Sequence, residues 1–92
     1  MSIDPNQSCY NTFMFYAYIL ECADGTLYVG STNNLEKRLY QHNYAKSGAH
    51  YTKIRRPVIL KYSEPLTTFA LARAREAELK RFTRQQKLEL LQ

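Results

Sequence analysis

The chain lacks the features that commit a small protein to a membrane, a metal cluster or a disulfide scaffold. No apolar run approaches the roughly 20 residues needed to span a bilayer, and the N-terminus is neither basic nor followed by an apolar signal core. No membrane partner is therefore expected, and a cytoplasmic setting follows, or a nuclear one in a eukaryotic or viral source. Two cysteines, Cys9 and Cys22, make no disulfide framework and stand at no metal-ligand spacing, so both are expected as reduced thiols. Repeats and low-complexity tracts are absent, and nothing in the 92 residues has the form of a recognition helix, a zinc finger or a second DNA-binding domain. Acidic residues are the minority, 8 against 13 Lys and Arg, and the net charge of +5 fits an anionic polymer as partner. A chain of this length has room for one domain that buries about 60–65% of its unfolded surface, so a single small core and modest stability are expected.

Aromatic and β-branched residues are what the chain does have. Phe15 to Cys22 and Leu27 to Thr32 both have strand composition, and Asp24-Gly25 between them is a hairpin turn. A two-residue loop would pair Ala23 with Thr26 and put Tyr18 and Tyr28 on opposite faces. A three-residue loop, Ala23-Asp24-Gly25 closed by a left-handed glycine, pairs Tyr18 with Gly30 and Leu20 with Tyr28. That register puts both tyrosines on one face and collects Phe15, Ala17, Ile19, Leu27 and Val29 on the other as a core, so it is preferred. Residues 1–13, polar and nearly devoid of apolar content in their first twelve positions, form a flexible leader ahead of a single domain over 14–92.

Thr32-Asn33-Asn34 offers caps for a helix from about Leu35 to Tyr44, with Leu35 and Leu39 facing inward. Arg38 and His42, four apart, share a face of that helix next to the leucine stripe. Lys46, His50, Tyr51, Lys53, Arg55 and Arg56 lie in a loop too basic to be core. Val58 to Tyr62 is a third strand, at the sheet's centre or edge, which Glu64-Pro65 ends. Thr67 or Thr68 then caps a helix to about Arg81, whose apolar arc of Phe69, Leu71, Ala72, Leu79 and Phe82 contains Glu76, a carboxylate that costs free energy there unless something binds it. Thr83 to Gln86 has the form of a capping box opening a last short helix. The fold class is α+β, a small three-stranded antiparallel sheet flanked by helices in the order β-β-α-β-α-α.

Each of these residues has a plainer explanation on its own: the eight tyrosines as strand formers, Arg38 and His42 as a solvated helix face, Glu76 as a partner of Lys80, Tyr40, Tyr44 and Tyr62 as packing. Their joint spacing overrides it. Tyr16-Ala17-Tyr18, Tyr28-Val29-Gly30, Arg38, His42 and Glu76 together resemble the GIY-YIG nucleases, most closely their small stand-alone members, over roughly Phe15 to Leu91. Tyr16-Ala17-Tyr18 stands for Gly-Ile-Tyr with only the final tyrosine kept, and Tyr28-Val29-Gly30 stands for Tyr-Ile-Gly. An asparagine common near the end of the family's module has no counterpart beyond Gln85 or Gln86.

The resemblance implies a DNA endonuclease, with DNA repair among its settings, that hydrolyses phosphodiester bonds with one Mg²⁺ or Mn²⁺. Tyr18, Tyr28, Arg38, His42 and Glu76 are its catalytic set and Glu76 its metal ligand. Tyr18 is the candidate general base. An unperturbed phenol is only about 0.1% ionised at pH 7, so Arg38 and His42 are expected to favour the phenolate, with activity rising through mildly alkaline pH. Nucleic-acid contacts are assigned to Gly30, which lets a phosphate come close, to Lys46, His50, Tyr51, Lys53, Arg55 and Arg56, and to Lys80, Arg81 and Arg84 on the later helices. Structure dependence or weak sequence specificity is expected, with a partner protein as one source of specificity and a monomer or weak dimer as the assembly. The alternatives are a non-catalytic binding module that uses the same tyrosine-lined basic surface, and an activating subunit whose own site is vestigial.

Overall fold

The structure, a computed structural model, describes residues 14–46 and 49–92. The leader assigned to residues 1–13 and positions 47 and 48 of the basic loop lie outside the described residues. Strands β1 (Phe15–Glu21) and β2 (Leu27–Thr32) are followed by α1 (Leu35–Tyr44), a four-residue α2 (His50–Lys53), β3 (Ile59–Leu66), α3 (Phe69–Lys80) and α4 (Arg84–Leu90). The expected α+β order holds, with α2 as an addition inside the basic loop. No helix of the described residues is long and apolar enough to cross a membrane.

The hairpin has the three-residue loop. Gly25 sits at φ 84, where an L side chain is disfavoured. The Cys22 N–H donates to the Thr26 carbonyl at 2.8 Å and the Gly25 N–H to the Cys22 carbonyl at 2.9 Å. Asp24 reinforces the turn by accepting from the Thr26 amide and hydroxyl at 3.1 and 2.6 Å. Tyr18 consequently lies opposite Gly30, and Leu20 opposite Tyr28.

The sheet order is β2-β1-β3, antiparallel throughout, so β1 is central and β3 an edge. Position explains why Glu64-Pro65 does not end β3, which runs on to Leu66 with Pro65 opposite Tyr16. An edge strand bonds on one side only and accommodates a proline there. Between Ile19, opposite Tyr62, and Leu20, opposite Leu60, the register of β3 slips by one residue. This bulge turns Leu60 to one face of the sheet and Tyr62 to the other.

Both faces of the sheet are covered, so the single core expected from length resolves into two clusters. Ala17, Ile19 and Val29 pack with Leu79 of α3, flanked by Leu27, Tyr62, Leu66, Phe82, Leu90 and Leu91. Tyr18, Leu20, Cys22 and Val58 pack beneath Leu35 and Leu39 of α1. Central β1 accordingly buries Ala17 through Leu20 without alternation. The α3 arc is narrower than periodicity implies: Ala72 and Leu79 are buried, while Phe69 and Leu71 are half exposed. Tyr40 and Tyr44 are not packing residues either. They are exposed on α1, with ring centroids 5.1 Å apart in a tilted pair.

Helix starts follow sequence closely. Asn34 caps α1 through the Lys37 amide at 3.0 Å, Thr68 caps α3 through the Leu71 amide at 3.1 Å, and Thr83 with Gln86 forms the reciprocal box of α4. At the C-terminal end of α1 the Arg56 guanidinium donates to the carbonyls of Gln41, His42 and Ala45, a cation placed where the helix dipole favours it. Asn43 clamps the same helix to the start of β3 by exchanging hydrogen bonds with Val58 at 2.8 and 3.1 Å.

A Cβ at residue 30 would overlap the Tyr18 hydroxyl and stand 2.6 Å from its Cζ. The substitution Gly30→Ala should therefore displace the Tyr18 ring and cost about 1–3 kcal/mol, the range for overpacking a filled site. A shift of the urea midpoint at unchanged slope checks it.

Candidate active site

The site grows out of the tight pairing of Tyr18 with Gly30. Because residue 30 carries no side chain, the Tyr18 ring lies on the backbone of β2. Its hydroxyl meets His42 Nε2 at 2.9 Å. Here the structure differs from the expectation that Gly30 admits a phosphate: the space above it is filled by the protein's own tyrosine. Tyr28, two residues before Gly30 and on the same face, sets its ring 5.2 Å from that of His42 and 5.8 Å from that of Tyr51.

His42 is 1% exposed, and its Nδ1 lies 2.7 Å from the hydroxyl of Thr52 on α2, which is wholly buried. The Thr52 hydroxyl has one proton, and it donates that proton to the Ala49 carbonyl at 3.0 Å. Thr52 can then only accept from His42, so Nδ1 carries the imidazole proton and Nε2 is the acceptor for the Tyr18 O–H. The result is a one-directional chain from Tyr18 through His42 and Thr52 to a backbone carbonyl. Among the described residues no buried side-chain polar atom lacks a partner.

The electrostatics of this chain run opposite to the expectation of an activated phenolate. Burial, followed by the neighbouring Tyr28, raises the Tyr18 pKa far above that of a free phenol, and the cationic Arg38 does not offset it. Burial, then Arg38 and Arg56, pushes His42 down to about 4. Both groups are therefore neutral across the physiological range, and no phenolate accumulates in mildly alkaline solution.

Charge gathers instead at the end of the strands. Ser31, next to Gly30 and so on the opposite face of β2, donates to Glu76 Oε1 on α3 at 2.6 Å. Lys80 reaches Oε2 at 2.8 Å, and Arg73 stands 3.6 Å from Oε1. The carboxylate in the apolar arc is thus hydrogen-bonded and ion-paired. Burial raises its pKa and is the largest single effect, yet the hydrogen bonds from Lys80 and Ser31 and the charges of Lys80 and Arg73 together lower it. Arg38, one turn before His42, lines a cavity shared with Ser31, and its guanidinium makes no hydrogen bond or ion pair to the described residues. The five residues expected to converge are therefore split: buried Tyr18 and His42 cluster with half-buried Tyr28, Arg38 borders both that cluster and the cleft, and Glu76 connects to the cleft only through Ser31.

The basic loop is less available than its sequence implies. Arg55 pairs with Asp24 at 3.0 Å and lies over the Tyr51 ring at 3.9 Å, and Arg56 caps α1. Lys53 donates to the Lys46 carbonyl at 2.8 Å, while the Lys46 and His50 side chains are exposed. Lys80 is engaged by Glu76, Arg84 donates to the Gly25 carbonyl at 3.0 Å, and Arg81 remains exposed. Ser31 and Thr52 were invisible as site residues. Strand alternation after Tyr28-Val29-Gly30 was a usable signal for Ser31; Thr52 had none.

Residues 14–89 match the GIY-YIG catalytic domain. The chain belongs to the GIY-YIG family. It is 51% identical over 76 residues to a UPF0213 protein of Syntrophus aciditrophicus, covering 83% of this chain and 87% of that one. To a UPF0213 protein of Staphylococcus haemolyticus it is 49% identical over 77 residues, covering 84% and 93%. Among solved structures, a protein of E. faecalis superposes with TM-score 0.58 at 42% identity and a UPF0213 protein of Bacillus halodurans with 0.54 at 35%, each covering 85% of this chain and 82% of the other. Of the positions through which the sequence resembles the family, Tyr18, Tyr28 and His42 lie together under α1, and Glu76 lies on α3, held by Ser31.

Two measurements check this network. His42 binds its proton more weakly folded than unfolded, so its contribution to stability is complete above pH 6.5 and is lost as pH falls towards about 4; roughly 3 kcal/mol should disappear over that window in denaturant titrations. Thr52→Val leaves a buried N–H without an acceptor, which costs about 1–3 kcal/mol and should move the His42 proton to Nε2 in ¹⁵N NMR, with Thr52→Ser restoring Nδ1–H. An unchanged tautomer in the valine variant would refute the assignment.

Proposed function

We infer that this GIY-YIG protein is a cytoplasmic, metal-dependent DNA endonuclease that hydrolyses phosphodiester bonds with weak sequence preference. The observation that carries the reading is the Arg38 guanidinium, without a partner among the described residues, lining one cleft with Ser31, which itself holds Glu76. A cation on an open cleft, with a carboxylate one hydrogen bond behind it and a phenol hydrogen-bonded to an imidazole nearby, is an arrangement suited to phosphoryl chemistry.

No cluster of three metal-ligating side chains exists among the described residues, and Glu76 with the Ser31 hydroxyl is the oxygen set at this site. Such a set fits Mg²⁺ or Mn²⁺, since Mg²⁺ is commonly held by one or two carboxylates with water and substrate phosphate completing its shell. Glu76 would hold the ion, with Lys80 and Arg73, whose side chains are 55% and 62% exposed, swinging aside. When bound, the metal supplies Lewis-acid polarisation of the phosphate. Binding to the free protein should be weak because only one carboxylate serves it.

The remaining parts are the chain's own. Tyr18 takes a proton from the attacking water on its oxygen while passing its own to His42 Nε2, which spares the protein a free phenolate. Thr52 holds the imidazole that receives it. Tyr28, beside His42, orients the water or a phosphate oxygen through its hydroxyl. Arg38 neutralises charge that grows on the phosphoryl oxygens, a contribution of about 3–4 kcal/mol in comparable sites. Of the basic positions assigned to nucleic-acid contact, Lys46 and Arg81 are exposed and free to track the substrate backbone.

Nicking of supercoiled plasmid tests the reading. The intact chain should convert it to open circles with Mg²⁺, Glu76→Ala should abolish this, and Arg38→Ala should slow it about 10²- to 10³-fold with binding largely retained. Stoichiometric DNA binding without cleavage under any divalent metal would decide for the non-catalytic module.

A further inference from the structure

A cavity of about 340 Å³ opens at the ends of β1 and β2 between α1 and α3, within the size range of small-ligand clefts. Of the proposed catalytic residues Arg38 alone lines it, and Phe15, Phe69, Arg73, Thr32 and Asn33 have no part in the reaction described above. Its lining is chemically mixed in a particular way. Phe69, half exposed, stands 5.8 Å from Phe15 in a tilted aromatic pair, and Arg73 lies 5.5 Å above the Phe69 ring. Arg38 faces the same space, and the run Ser31, Thr32, Asn33 supplies polar edges.

A phenylalanine at the start of a helix gains nothing from standing half in water, and its exposure calls for a flat apolar occupant. Two guanidiniums beside it, Arg38 and an exposed Arg73 that also stands 3.6 Å from Glu76, favour an anionic one. A nucleotide meets both demands at once, with a π-face for Phe69, a phosphate for Arg38 and Arg73, and base edges for Ser31 and Asn33. The cleft is concave, and a base held within a duplex stack cannot present its face there. Ser31 borders the cleft and also donates to Glu76, so an occupant would lie directly beside the candidate metal ligand.

We propose that this cleft is a subsite for one unpaired nucleotide next to the cleaved phosphodiester, so that the enzyme requires a locally single-stranded substrate. The proposal rests on the nuclease reading for its biological meaning, but the binding it describes needs no turnover. Phe69 supplies the stacking face, Arg73 stiffens that face and neutralises phosphate, and Arg38 serves both subsite and reaction.

The experiment uses the full chain with chelator present, so that nothing is cut. A single-stranded oligonucleotide carrying 2-aminopurine should bind with quenched fluorescence, and the same oligonucleotide annealed into a blunt duplex should bind without quenching. Phe69→Ala should weaken single-strand binding about 10-fold, within the range that base–aromatic stacking supplies, and remove the quenching while duplex affinity stays constant. Phe69→Tyr should restore both, which guards against a folding defect, and Arg73→Gln should give an intermediate loss. Equal affinity of wild type and Phe69→Ala for the single strand, or equal losses on single strand and duplex, would overturn the subsite. Phe69-dependent binding in a protein that cuts nothing under any divalent metal would support the subsite while sinking the nuclease reading.

Discussion

Closure of the β1–β2 hairpin by a left-handed Gly25 is the constraint from which the rest of the site descends. With Cys22 and Thr26 bonded across a three-residue loop, Tyr18 is opposed by Gly30 and shares its face with Tyr28. A loop shorter by one residue would rotate every side chain of one strand to the other face. The tyrosine ring could not then lie on the glycine, its hydroxyl would lose His42, and α1 would have no aromatic surface to cover. A positive-φ glycine thus specifies which atoms can meet across 24 residues of sequence.

Two electrostatic regimes result, and burial separates them. Under α1, desolvation outweighs the attraction of Arg38, and the Tyr18–His42–Thr52 chain is neutral and oriented. Along the strand ends, Glu76 keeps its charge because Ser31, Lys80 and Arg73 compensate what burial costs. In the proposed reaction, proton transfer belongs to the buried regime and charge neutralisation to the strand ends. The proposed chemistry lies at their boundary, where a phosphate has access to both.

The basic segment between α1 and β3 serves the fold as much as any ligand. Its charges looked like a clamp for an anionic polymer, yet Arg56 caps α1, Arg55 locks onto the hairpin turn through Asp24, and the α2 turn within the segment delivers Thr52 to His42. A cation that has found a carboxylate or a helix C-terminus is not available to a phosphate. Arg38, which makes no side-chain ion pair among the described residues, lines the aromatic cleft instead, beside an Arg73 that is shared with Glu76.

Local rules settled much of this chain without help. Turn chemistry at Asp24-Gly25, caps at Asn34, Thr68 and Thr83, and the four-residue spacing of Arg38 and His42 all act over a few residues, and the structure follows them. So did the spacing of tyrosines, arginine, histidine and glutamate that marked the family. Other features depended on neighbours remote in sequence: the continuation of β3 through Pro65, the second core cluster, the burial of Thr52, the pairing of Ser31 with Glu76, and the direction of the Tyr18 shift. Periodicity reports which way a side chain points. Desolvation and partner choice depend on what the rest of the chain places around it, and only the packed structure decides that.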